Sequence, residues 1–148
     1  MAEYLANSVQ TVQINTPVIL DASIPCTKGY IIHENGTGVF ILRGITQNCK
    51  ARYSVTFNAN IAVPEGGTVG PIAVALVLNG EPIMTSRGIA TPAAVGDYFN
   101  VTCAKNIDVP KGCCFNLSIE PVTAYNDTTA PAQAIDIQNS NLVINRTA

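Results

Sequence analysis

Gly, Pro and Asn interrupt this chain so often that almost no stretch keeps apolar residues at i, i+3, i+4 and i+7 over about ten positions. The segments between the interruptions alternate with a period of two, the spacing of a half-buried strand. Residues 51–61 show it best. Tyr53, Val55, Phe57 and Ala59 fall on one face, and Arg52, Ser54, Thr56, Asn58 and Asn60 on the other. Residues 30–34 lead through Asn35-Gly36-Thr37-Gly38 into residues 39–42, a hairpin built around residues that tolerate positive φ. Residues 71–78 are almost continuously apolar and end in Asn79-Gly80, which predicts a second hairpin with a buried first strand.

The remaining segments follow suit. Residues 9–14 and 17–24 read as short strands near a sheet edge, and residues 97–103 and 113–119 as strands around the corner Val109-Pro110-Lys111-Gly112. Residues 125–133 form a polar loop, and residues 134–146 alternate again to close the chain. This amounts to eight to ten short strands with turn signals about every ten residues and no linker long enough to divide them. The expectation is an all-β fold, one compact two-sheet sandwich over residues 8–148, preceded by a flexible N-terminal arm at residues 1–7.

Composition narrows the function. A chain of 148 residues buries about two-thirds of its unfolded surface, enough for a core without staples. Only 12% of residues are charged and mean hydropathy is +0.25, which suggests surface hidden in an oligomer. No apolar run reaches the roughly 18 residues of a membrane span. The eight Lys and Arg residues are scattered in a chain of net charge −2, which argues against nucleic acid as a partner. The N-terminal residues lack the basic flank and apolar block of a secretory signal, so synthesis in the cytoplasm without a signal peptide is expected.

A search for chemistry finds little. His33 is the single histidine, too few for a zinc site or a nucleophile-base pair, and reads as a hydrogen-bonding strand residue near a hairpin tip. The ten carboxylates occur one at a time, and Asp127 lies in a polar loop without calcium-loop spacing. The glycine clusters at residues 36–38 and 66–70 lack the helix and Lys-Ser/Thr of a phosphate cradle. Five cysteines with no CxxC spacing read mostly as buried thiols, with a disulfide, an interchain link or a metal role as alternatives. No catalytic residue, metal ligand or cofactor is assigned, and the chain is expected not to be an enzyme.

The order of segments carries a resemblance. An alternating strand with aromatics (Tyr53, Val55, Phe57) is followed by the apolar strand ending Leu76-Val77-Leu78-Asn79-Gly80-Glu81. A late pair surrounds Val109-Pro110-Lys111-Gly112-Cys113-Cys114-Phe115, and an apolar last strand runs Asn141-Leu142-Val143-Ile144-Asn145-Arg146. This resembles the tumour-necrosis-factor-like jelly roll, the fold of complement globular domains. The resemblance implies a homotrimer with one sheet of each protomer facing a threefold axis, and places Tyr53, Val55, Phe57, Tyr98, Phe99, Leu142 and Ile144 at the oligomer interface. Ordinary core packing is the alternative for each. The function it implies is a structural protein of a virion, as a phage capsid decoration or head fibre, or of a cell surface. Residues 1–7 would dock it to a capsid or fibre protein. The alternative is a carbohydrate- or receptor-binding module that uses exposed loops near residues 33–38, 86–96 and 123–133 on a surface glycan.

Overall fold

A computed structural model describes residues 2–24, 29–33, 36–123 and 133–147. Twelve strands follow one another: β1 (Ala2–Ala6), β2 (Gln10–Val12), β3 (Ala22–Ile24), β4 (Ile31–His33), β5 (Phe40–Arg43), β6 (Lys50–Ala62), β7 (Ile72–Leu78), β8 (Glu81–Pro82), β9 (Gly88–Ala90), β10 (Phe99–Pro110), β11 (Cys114–Val122) and β12 (Ile135–Arg146). A 3-10 turn, Met84–Ser86, joins β8 to β9. The first sheet has the order β10-β6-β12-β1-β3, with β2 also on β12. The second has the order β4-β5-β11-β7-β8, with β9 also on β7.

Every ladder is antiparallel, and the two sheets bury one shared core. Strand β10 pairs with β6 over its full length, from Phe99 opposite Ile61 to Pro110 opposite Lys50. The alternation of residues 51–61 becomes the inner and outer faces of β6, and Tyr53, Val55, Phe57, Ala59 and Ile61 are fully buried. The Tyr53 hydroxyl reaches through the core edge to donate to the Arg43 carbonyl at 2.6 Å. Both expected hairpins form, β4–β5 and β7–β8. The second turns on Asn79 (φ 51) and Gly80 (φ 83), the paired positive φ values that match the twist of the strands.

Three expectations need correction. Residues 2–6 of the proposed flexible arm are strand β1, held between β12 and β3, with Ala2, Tyr4 and Ala6 buried and Glu3 and Leu5 half-buried. Two small residues flanking one aromatic satisfy the alternation there without forming a conspicuous apolar run. Residues 17–24 do not make one strand: Leu20 bridges Thr37 alone, and regular pairing begins at Ala22. Pro17 has no N–H to donate, which fits a late start. Of the four described cysteines only Cys103 is buried, whereas Cys49, Cys113 and Cys114 are exposed.

Candidate functional site

The first sheet turns its apolar side to the core and a polar side outward. Across β10, β6 and β12 the outward rows are Asn106-Ser54-Asn145, Ala104-Thr56-Val143, Thr102-Asn58-Asn141 and Asn100-Asn60-Gln138. No ion interrupts this block. Asn100 Nδ2 donates to Asn58 Oδ1 at 2.7 Å and to Asn60 Oδ1 at 3.1 Å, tying two strands together by amides. Asn141 Nδ2 donates to Glu3 Oε1 at 2.9 Å and extends the network to β1. A shallow depression lined by Ser54, Ala104, Lys105 and Asn106 marks the β10 side.

Apart from Glu3 on β1, charge on this face lies at its margins. At one end Arg52 Nε meets Asp108 Oδ1 at 2.7 Å and Lys50 Nζ meets Asp108 Oδ2 at 2.8 Å. The Arg52 hydrogen bonds, then that of Lys50, hold the Asp108 carboxyl well below the usual carboxylate range, and Asp108 in turn raises Arg52. At the other end Thr11 Oγ1 donates to Asp136 Oδ1 at 2.6 Å. Tyr98 lies near this end, its phenol raised by partial burial and by the charge of Asp136.

The seven residues expected at an oligomer interface separate into two groups. Tyr53, Val55, Phe57, Leu142 and Ile144 each have 0% exposure inside a single protomer, because they occupy the faces of β6 and β12 turned toward the second sheet. They are core residues and cannot touch another copy, which corrects that assignment. Tyr98 and Phe99 are 38% and 46% exposed, the first just before β10 and the second at its start. The residues that the expectation passed over are the outward ones, Ser54, Thr56, Asn58, Asn60, Asn100, Asn141 and Asn145. Their signal was the polar half of the same alternation.

His33 sits where the hairpin expectation placed it. Its ring stacks on Phe40 at 4.1 Å, meets the Tyr4 ring edge-on at 4.8 Å, and donates from Nε2 to the Thr37 carbonyl at 3.0 Å. It serves as part of the seam between β1 and the β4–β5 hairpin. Among the described residues no three His, Cys, Asp or Glu side chains converge on a common point. Of the three expected binding loops, residues 34–35 and 124–132 lie outside the described residues. Residues 86–96 run from the 3-10 turn through β9 to the approach to β10.

No protein-family model matches this chain, and no curated protein matches it. Solved structures do. The globular domain of zebrafish complement 1qA protein aligns with 96% of this chain and 94% of its own, at 16% identity and a TM-score of 0.58. The C-terminal domain of EclA, a sugar-binding protein, aligns with 95% of this chain and 79% of its own, at 17% identity and a TM-score of 0.42. A beta-glucosidase from Paenibacillus barengoltzii aligns with 72% of this chain and 9% of its own, at 18% identity and a TM-score of 0.36. The near-complete alignment with the complement domain, together with two antiparallel sheets around one core, gives this chain the C1q/TNF-like jelly-roll fold.

Proposed function

We propose that this chain is a non-enzymatic structural module that assembles as a homotrimer, through the outward face of the β10-β6-β12-β1 sheet, on a virion or cell surface. The observation that carries the reading is the ion-free block from Ser54 to Asn60 and its neighbours on β10 and β12. The one carboxylate that burying this face would strip of water is Glu3 on β1, which Asn141 already engages, and the amides and hydroxyls around it can exchange water for partners across the seam. Its central residues Ser54, Thr56, Asn60, Asn141 and Val143 are already half-buried by their own neighbours, which lowers the cost of covering them. The threefold arrangement comes from the jelly-roll resemblance. Docking to a capsid or fibre protein through residues 1–7 is not retained, because β1 is occupied on both sides.

Light scattering tests the reading. The expected mass is near three times 15.6 kDa, and Thr56→Arg should reduce it to one protomer, because three arginines would be driven together on a dry face. A wild-type mass of one protomer would remove the proposal.

A second reading rests on Tyr98, an exposed aromatic near the carboxylate of Asp136, and on Phe99, the exposed aromatic that follows it in sequence. Aromatic faces beside acceptor oxygens suit a glycan, with stacking on sugar C–H faces and hydrogen bonds to hydroxyls. Binding on a glycan array that disappears in Tyr98→Ala and Phe99→Ala would support it, and signal unchanged by both substitutions would exclude this site.

A further inference from the structure

Cysteine is among the residues most often buried, yet this fold exposes Cys49, Cys113 and Cys114 together at one end of the sandwich. Their backbone is firmly placed. The Lys111 N–H donates to the Cys49 carbonyl at 3.0 Å, Gly44 N–H to the Cys113 carbonyl at 2.8 Å, Gly112 N–H to the Gly44 carbonyl at 3.0 Å, and Cys113 N–H to the Pro110 carbonyl at 3.0 Å. Cys114 then pairs with Arg43 in the β11–β5 ladder. The close approach requires Gly44 itself, because a Cβ there would collide with the Pro110 carbonyl. Among the described residues these thiols are part of no metal-holding group, and each of the three cysteines is exposed.

The charges around them have one prevailing sign. Residues 43–52 and 108–114 carry four cations, Arg43, Lys50, Arg52 and Lys111, and one carboxylate, Asp108, already engaged by Lys50 and Arg52. Arg146 adds a further cation opposite Tyr53, while Glu81, on β8, stands two strands away from Cys114. Cys49 is flanked by Lys50 in sequence and Lys111 in register, and Cys113 follows Lys111 by two residues.

We propose that this end of the sandwich is a thiol–disulfide exchange site for small anionic disulfides, centred on Cys49 and Cys113 with Lys111 between them. A cysteine gives up its proton, and the thiolate attacks one sulfur of the disulfide. The old S–S bond breaks as the new protein–S–S bond forms, and the other half leaves as a thiolate that takes up a proton from solvent. The disulfide supplies the only oxidising equivalent. The cationic surroundings favour the encounter with an anionic disulfide and stabilise the charge that builds on the leaving sulfur.

The probes are oxidised glutathione, which is anionic, and cystamine, which is a cationic disulfide. Each is incubated with the full folded chain and followed by intact mass and peptide mapping, which resolves Cys26 separately. Glutathione adducts are expected on Cys49, Cys113 and Cys114 and not on Cys103. Oxidised glutathione should react about tenfold faster than cystamine at low salt, with the gap closing as salt is raised. Lys50→Gln with Lys111→Gln should narrow the gap without changing reactivity toward cystamine by more than a small factor. Equal or faster reaction with cystamine at low salt, or adducts that form only after unfolding, would overturn the proposal.

Discussion

At the scale of single residues, side chains that look interchangeable in sequence divide by where the sheet turns them. Cys103 points into the core, donates to the Val74 carbonyl at 3.4 Å, and burial pushes its thiol up to about 11. A thiol raised in the folded state keeps its proton while the unfolded chain releases it, so folding stability is unaffected below about pH 9 and declines from there toward pH 11. The decline between pH 9 and pH 10, followed by urea unfolding, should flatten in Cys103→Ala. An equal slope in both proteins would mean that Cys103 is not the group responsible. Above pH 10 the raised phenols of Tyr4 and Tyr53 add a decline of the same sign. Phe57 illustrates the other division. It is fully buried within one protomer, so Phe57→Ala should cost about 3–5 kcal/mol of folding stability while leaving the mass of whatever remains folded unchanged. A folded Phe57→Ala protein of near-native stability but lower mass would instead place this ring between subunits.

At the scale of elements, how legible each strand was depended on how many consecutive positions obeyed the alternation. Strand β6 obeys it over 13 residues and the β4–β5 hairpin has its glycine turn, so both could be read from the sequence. Strand β10 was harder to read as one piece. Its inward row runs Val101, Cys103, Lys105, Ile107, Val109, and the lysine looks like an interruption. The structure accommodates it because β10 is the sheet's edge, where Lys105 Nζ leaves the core to bond Thr85 Oγ1 at 3.1 Å. The candidate face was legible only in its polar character. Alternation separates two faces, but it does not say whether the apolar one meets a second sheet of the same chain or another copy. Strand β1 was missed, and it supplies the clearest test at this scale. Removing residues 1–7 would be harmless for a flexible arm. Here it withdraws Tyr4 from its contacts with Phe40 and His33 and leaves β12 and β3 without their shared partner. The truncated chain should be largely unfolded or aggregated by circular dichroism and light scattering. A truncated protein with native melting behaviour would restore the arm.

At the scale of the whole molecule, the sandwich is electrically polar although its net charge is only −2. One end gathers Arg43, Lys50, Arg52, Lys111 and Arg146 against the single carboxylate of Asp108, whereas the opposite end holds Glu65, Asp97 and Asp136 with Arg87 beside Thr123. Rotation about a threefold axis carries each end onto the same end of the next protomer, so a trimer brings three basic ends together on one side and three acidic ends on the other. The ion-free centre of the sheet face contributes almost nothing that salt can screen, but the two ends repel across the axis. Raising ionic strength from about 20 mM to about 300 mM shortens the screening length severalfold and should therefore strengthen the trimer, lowering the concentration at which it dissociates in sedimentation equilibrium. Head-to-tail stacking joins a basic end to an acidic one and must weaken under the same change. A dissociation constant that rises with salt would thus exclude the threefold arrangement even if the mass at low salt were that of three chains.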